Sequence, residues 1–188
     1  MIQEEDEEDN ASEGELVLQS ILNSMINVLV PAIRWGIPLG IVFLIGCVVR
    51  RMPFKKSVFW TLLGAYIGAL IGETILSGHK YATALYQLVP FNSVISGLAA
   101  GKYSFIWPLL LNVLLFIPMG MFICLGKRKV HAALVIGFAS SLLIEIAEIV
   151  TKTGVFDTDD LIMNTLGALL GFCITRVIQK AVTAHEYC

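Results

Sequence analysis

The chain has 188 residues, of which 56% are hydrophobic and only 15% are charged, and its formal net charge is −2. A water-soluble domain carries about 25% charged residues, because its surface must be wetted. With a mean hydropathy of +0.78, this composition excludes an ordinary soluble domain. The small net charge also gives no basis for a nucleic-acid partner, and none is predicted.

The chain begins with an acidic segment, residues 1–20, that includes the run Glu4-Glu5-Asp6-Glu7-Glu8-Asp9. Its low apolar content predicts a disordered tail. Because a secretory signal peptide starts with basic residues, no signal peptide is expected here. Residues 21–180 are predicted to form a single transmembrane domain, and residues 181–188 a short cytoplasmic tail.

Five stretches are apolar and long enough to cross a bilayer, which takes about 20 mostly apolar residues. They cover residues 25–49, 58–76, 105–125, 132–150 and 161–178. Because lipid cannot satisfy backbone polar groups, each stretch is predicted to be a helix. The predicted fold is therefore an all-α, polytopic protein of the cell membrane with about five transmembrane helices.

The basic residues divide unevenly between the two sides of these spans. Nine fall on one side: Arg50, Arg51, Lys55, Lys56, Lys127, Arg128, Lys129, Arg176 and Lys180. Four fall on the other: Arg34, Lys80, Lys102 and Lys152. Loops rich in Lys and Arg usually face the cytoplasm. The N-terminus is therefore predicted to lie outside and the C-terminus in the cytoplasm.

Under this orientation, most polar side chains of the spans lie in their outer halves or in the last outer loop. Ionisable groups are costly inside a membrane, so they usually pair with each other or line a functional cavity. We therefore predict an outward-facing polar pocket. Its candidate residues are Asn112, Glu145, Glu148, Asp157, Asp159, Asp160, Asn164 and Arg34. Glu73 is a further acid at this depth, and Asp159 or Asp160 is expected to cap the last span.

The residues leave three chemical uses open for such a pocket. Its carboxylates can hold a divalent cation, with Glu145 and Asp160 as the candidate ligands. They can share protons, because crowded carboxylates cannot all ionise, or they can contact a lipid headgroup or a sugar. No GxSxG, HExxH or P-loop motif occurs in the sequence. No catalytic residue and no cofactor are therefore assigned.

Two rows of glycines and one long loop complete the pattern. The glycines are expected to be close contacts between helices, and they are Gly64, Gly68 and Gly72 on the second span and Gly167 and Gly171 on the fifth. They permit self-association but do not define an oligomeric state. The outer loop over residues 77–104 is expected to lie in the membrane interface, or alternatively to cover the pocket as a lid.

Three segments in the second half of the chain share the order and spacing of a known family. They are residues 112–120 (NVLLFIPMG), 141–145 (SLLIE) and 156–171 (FDTDDLIMNTLGALLG), with an upstream match at residues 89–91 (VPF). Over residues 88–178 the chain resembles the VanZ-like family. The family residues that map onto it are Asn112, Pro118, Gly120, Glu145, Asp157, Asp160, Asn164 and Gly167.

Two positions depart from the family pattern. Glu148 stands where the family usually has Gln, and Gly154 stands near a position commonly held by Arg, for which Lys152 is a candidate substitute. An added acid and a lost base make the pocket more negative. Binding of an anion is therefore disfavoured unless a cation bridges it.

The resemblance implies a cell-envelope protein, because the family's namesake is associated with resistance to the glycopeptide teicoplanin. The leading hypothesis is a non-enzymatic protein of a Gram-positive-type bacterium that lowers glycopeptide susceptibility. Its partners would be membrane lipids and a lipid-linked cell-wall precursor or the glycopeptide. The alternatives are an enzyme acting on a lipid-linked substrate, with Glu145 or Asp160 as general base, and a proton-coupled transporter. The inner half lacks matching ionisable residues, which disfavours the transporter.

Overall fold

The computed structural model describes residues 2–76, 82–83, 85–101, 103 and 105–185, and it is mostly helical. Within this part of the chain, five helices are long and apolar enough to cross a membrane: Met25–Val49, Phe54–Leu76, Ile106–Leu125, Val130–Thr151 and Thr158–Thr183. They coincide with the five predicted spans and differ from them only at their ends. The helical fold class is therefore confirmed, and the orientation of the termini stays a prediction.

The elements follow one another along the chain with short connections. The helices are α1 (Ile2–Val49), α2 (Phe54–Ile71), α3 (Asn92–Ala99), α4 (Ile106–Leu125), α5 (Val130–Thr151) and α6 (Thr158–His185). The strands are β1 (Leu85–Gln87) and β2 (Val155–Asp157). A π-helical turn, Gly72–Leu76, extends α2. The α2 span therefore ends in a wider turn, which is a common feature of functional positions in helices.

The two ends of the chain continue the first and last spans. Helix α1 begins at Ile2, so it includes the acidic segment for which composition predicts a disordered tail. Glu is a good helix former, and acidic side chains are favoured at a helix N-terminus; the disordered tail stays a prediction. At the other end, α6 extends to His185. Residues 186–188 of the predicted tail lie outside the described residues.

Helices α4 and α6 are in backbone contact at three glycines. A Cβ atom at Gly120 would meet the Ala168 carbonyl oxygen. A Cβ at Gly167 would meet the carbonyl oxygen of Val113, and one at Gly171 that of Ile117. Because small residues let helices approach closely in lipid, this contact fixes α4 against α6 along most of their length.

Helix α2 packs on α1 in a similar way. Gly64 faces the Phe43 ring, Gly68 faces the Trp35 carbonyl oxygen, and Gly72 faces the Trp35 indole. Together with Gly167 and Gly171, all five glycines predicted to serve helix packing thus lie against a neighbouring helix. Most large apolar side chains point outward instead, as in Val42, Leu143 and Val177. This distribution suits a protein whose solvent is lipid.

The long loop over residues 77–104, which is predicted to lie outside, contains structure that the sequence did not predict. Strand β1 pairs in parallel with β2, with Tyr86 opposite Phe156 and Gln87 opposite Asp157. This pairing ties the chain before α3 to the chain before α6. Ile95 and Leu98 of α3 are exposed, which suits the predicted location in the membrane interface. Residues 77–81, 84, 102 and 104 of this loop lie outside the described residues.

Candidate functional site

A cavity of about 530 Å³ opens among the spans at the end where β1 and β2 pair. Its lining comes from α1, the π-helical turn, α4, α5, β2 and α6. Four acidic side chains line it, Glu73, Glu148, Asp157 and Asp160, together with the amides of Asn27 and Asn112. None of the described lining residues is Lys, Arg or His. We call this the acidic cavity.

Hydrogen bonds join α4, α5 and α6 beside the acidic cavity. The Asn112 amide of α4 donates to the Asp160 carboxylate of α6. The Asn164 Nδ2 donates to Ser141 Oγ at 2.9 Å, and Ser141 Oγ donates to the Asp160 carbonyl oxygen at 3.4 Å. The backbone contact between α4 and α6 makes the first of these bonds possible, because it brings Asn112 and Asp160 to the same level.

Glu145 lies behind the cavity wall and not in its lining. Its side chain is only 2% exposed, and its Oε2 accepts the backbone N–H of Asp157 at 2.9 Å. A buried N–H needs an acceptor, since leaving it unpaired costs about 1–3 kcal/mol. Glu145 therefore holds β2 against α5, and it positions Asp157 at the cavity.

Asp157 connects three parts of the structure at the end where β1 and β2 pair. Its Oδ1 accepts the backbone N–H of Asp159 at 2.8 Å, and its Oδ2 accepts the Gln87 amide at 2.9 Å. The first bond caps the start of α6. Asp157, and not Asp159 or Asp160 as the sequence predicted, supplies this cap, because it directly precedes the first helical residue.

The electrostatic setting of Asp157 favours its protonated form. Burial raises the pKa of the Asp157 carboxyl above its usual value, and the nearby Asp159 charge raises it further. The backbone N–H of Asp159 and the Gln87 amide lower the pKa, but they do not cancel the effect of burial. Asp157 therefore gives up its proton less readily than a solvent-exposed aspartate does.

Asp159 is also buried, with 1% of its surface exposed, and it faces α3 instead of the acidic cavity. Its Oδ1 accepts the backbone N–H of Phe91 at 2.6 Å, while its Oδ2 is buried without a hydrogen-bond partner. Phe91 has φ 57°, a left-handed conformation that is uncommon for a bulky residue. Asp159 thus anchors the start of α3, although the sequence placed it in the pocket.

Glu148 occupies the space beside Gly154. A Cβ atom at position 154 would overlap the Glu148 carboxylate. The two departures from the family pattern are therefore one structural feature, because the added carboxylate fills the space beside the missing side chain. Lys152 does not substitute for the lost base at the cavity: it is exposed, and its Nζ donates to the Ala82 carbonyl oxygen at 3.5 Å.

The predicted pocket includes Arg34 and leaves out Glu73, and the structure places both residues differently. Arg34 is exposed and is not among the cavity's lining residues; its guanidinium carbon lies 5.9 Å from the centroid of the Trp35 ring. Glu73 does line the cavity, and its Oε2 is buried without a hydrogen-bond partner. Glu73 is an acid inside an apolar span, and this position could have added it to the predicted pocket.

The two carboxylates predicted to hold a divalent cation each accept a hydrogen bond within the protein. Among the described residues, no group of three or more His, Cys, Asp or Glu side chains is placed to hold a metal ion. Of the two candidate ligands, Glu145 accepts the Asp157 N–H and Asp160 accepts the Asn112 amide. A divalent cation at Glu145 and Asp160 therefore stays a prediction from the sequence.

The chain was compared with protein families, curated proteins and solved structures. The family model VanZ/LLP1 matches residues 64–179, more than half of the chain. The chain belongs to the VanZ/LLP1 family. No curated protein and no solved structure matched it. The VanZ/LLP1 match runs from α2 into α6, so it includes every acidic residue of the cavity. Family membership and five span-length helices together identify a multi-pass membrane protein.

Proposed function

We propose that this VanZ/LLP1 protein is a binding protein of the bacterial cell membrane that lowers susceptibility to glycopeptides such as teicoplanin. It would hold an ammonium-bearing component of the cell envelope in the acidic cavity, which opens outward under the predicted orientation. The observation that carries this proposal is the lining itself: four acidic side chains and two amides, with no basic residue among the described ones.

The charge of the cavity selects the class of ligand. Burying an anion beside several carboxylates costs free energy that no basic side chain in the described lining offsets. An ammonium group instead offers three donors, each suited to a carboxylate or amide oxygen. Envelope lipids, lipid-linked cell-wall precursors and glycopeptides can all carry primary amines. A volume of about 530 Å³ also lies within the range of known ligand pockets, about 300–1,000 Å³.

The first test is glycopeptide susceptibility in a sensitive Gram-positive host. Wild type is expected to raise the inhibitory concentration of teicoplanin over empty vector, whereas Glu148→Gln and Asp160→Asn lose that protection. The control Glu15→Gln, in the acidic N-terminal segment, removes one negative charge elsewhere and should protect like wild type. Membrane levels are matched by immunoblot. If both cavity variants still protect fully, the acidic cavity is not the binding site. If wild type gives no protection, the proposed role in glycopeptide susceptibility is wrong.

A second test measures the ligand directly. Purified protein in lipid nanodiscs is offered an aminoacylated phospholipid with a free amine, its N-acetylated counterpart, and teicoplanin. Tighter binding of the free-amine lipid, lost in Asp160→Asn, would identify a lipid ligand, and the same pattern for teicoplanin would identify the drug. Equal binding of the free and acetylated lipids, without binding of teicoplanin, would contradict ammonium recognition.

A further inference from the structure

A second cavity, of about 870 Å³, lies at the opposite end of α4, α5 and α6. Five basic residues line it: Lys127, Arg128, Lys129, Arg176 and Lys180. No Asp or Glu is among its described lining residues. We call this the basic cavity; it is separate from the acidic cavity and plays no part in the function proposed above.

The turn between α4 and α5 gathers part of this charge. After α4 ends, Gly126 N–H donates to the Phe122 carbonyl oxygen at 2.9 Å, and Arg128 N–H donates to that of Ile123 at 3.3 Å. Lys127 adopts a left-handed conformation, with φ 59°. These bonds hold the chain in a tight turn, so that three consecutive basic residues lie beside α6.

Helix α6 supplies the facing wall. Arg176 and Lys180 are four residues apart, so they share one face of the helix. Like charges at this spacing repel each other, and the lining offers no described carboxylate to offset them. A bound anion would relieve this repulsion.

The floor and the rim of the basic cavity are apolar. Phe172 and Cys124 are buried at its base, and the Cys124 thiol donates to Gln179 Oε1 at 3.6 Å. At the rim, the Val177 side chain is 66% exposed. A charged recess beside an exposed apolar helix face matches a molecule with an anionic head and an apolar tail.

We propose that the basic cavity binds the phosphate headgroup of an anionic phospholipid, with the acyl chains lying along α6. Under the predicted orientation this lipid belongs to the cytoplasmic leaflet, where anionic lipids attract basic segments. Lys and Arg near span ends also orient a membrane protein, but that role requires no cavity. Lys55 and Lys56, on the same predicted side, provide the contrast, because they do not line the basic cavity.

The experiment is lipid binding by the purified full-length chain, measured by native mass spectrometry from nanodiscs. The probes are phosphatidylglycerol, phosphatidylcholine and inorganic phosphate. Wild type should retain phosphatidylglycerol in preference to phosphatidylcholine. Arg176→Gln with Lys180→Gln should weaken phosphatidylglycerol binding about 25-fold, from about fivefold for each basic residue. The matched control, Lys55→Gln with Lys56→Gln, removes two charges and should bind like wild type.

A second pair, Lys127→Gln with Lys129→Gln, tests the opposite wall and keeps the proposal testable if the α6 variant folds poorly. Monodisperse elution is required of every variant before binding is measured. Equal weakening by the cavity and control pairs would overturn the proposal, because it would reveal attraction to charge alone. Displacement of the lipid by millimolar inorganic phosphate would overturn the lipid as the ligand. Loss of binding in both cavity pairs but not in the control would support it.

Discussion

The two ends of the α4–α6 unit carry opposite charges, and they hold them in different ways. At the acidic end, Glu145 and Asp159 are buried and accept backbone N–H groups. At the basic end, Arg176 and Lys180 are exposed. Glu145 and Asp159 are therefore structural supports of the fold, whereas Arg176 and Lys180 remain available to solvent or ligand. Substitutions at the two ends should therefore differ in their cost to stability.

The largest loss of stability is expected at Gly171, because both cavities depend on the backbone contact between α4 and α6. Gly171→Leu places a side chain against the Ile117 backbone, which cannot move aside as a side chain can. Overpacking of this kind costs about 3 kcal/mol or more, so the variant should give little folded protein and lose ligand binding at both cavities. Folded yield and the thermal midpoint in one detergent measure this effect.

Gly46→Leu is the matched control, because a Cβ atom at Gly46 would have nothing within 4 Å. It should fold like wild type. If Gly171→Leu folds equally well, the backbone contact between α4 and α6 does not set the geometry of the two ends.

The next largest loss of stability is expected at the acidic end and not at the basic end. Glu145→Ala leaves the Asp157 N–H without its acceptor and opens a small void, so the free energy of unfolding should fall by about 2–3 kcal/mol. Arg176→Ala removes an exposed side chain and should stay within about 0.5 kcal/mol of wild type. Glu145→Gln retains an acceptor oxygen and should recover most of the loss. Equal costs for Glu145→Ala and Arg176→Ala in thermal unfolding would show that the acidic end does not depend on its buried carboxylates more than the basic end depends on its exposed side chains.

A smaller, local effect is expected at the loop before α3. Asp159→Ala removes the acceptor of the Phe91 N–H, so this amide should exchange its hydrogen about tenfold faster, which corresponds to about 1.4 kcal/mol. Amide hydrogen exchange measures this at Phe91. Lys152→Ala, which removes an exposed donor to the same loop, should leave the rate unchanged. Unchanged exchange in Asp159→Ala would show that the carboxylate does not anchor α3.

The smallest expected effect is a dependence of the thermal midpoint on pH, caused by Asp157 at the acidic end. Because burial raises the Asp157 pKa in the folded state, this group contributes stability that is complete below its unfolded pKa and is lost as pH rises through its folded pKa. The thermal midpoint of wild type should therefore fall more from about pH 4 to about pH 7 than that of Asp157→Asn. Arg176→Gln keeps Asp157 and changes only the opposite end, so it should follow wild type. Parallel curves for Asp157→Asn and wild type would contradict the raised pKa.

Much of the fold was predictable because its determinants are local. Hydropathy over a span length located five helices, and small residues at helical spacing pointed to the contacts of Gly64 and Gly171. The pairing of β1 with β2 was not predictable, since three-residue strands carry no periodicity and their partner lies about 70 residues away in the sequence. The acidic N-terminal segment was assigned as a disordered tail by its low apolar content, and that assignment stays a prediction.

The candidate site was predictable in part. Charge and depth grouped Asn112, Glu148, Asp157 and Asp160, and these residues do share one cavity. The direction of each side chain was not predictable, because neighbouring residues on a helix point to different sides. Asp159 consequently faces α3 while Asp160 faces the cavity.

Composition and spacing along the chain are enough to predict five spans with acids and bases at their opposite ends. Which of these charges are buried and hydrogen-bonded to the backbone, and which line a cavity, depends on the packing of the helices. That outcome depends on how closely α4 and α6 approach at Gly120, Gly167 and Gly171, and on the donors that the approach brings to each carboxylate.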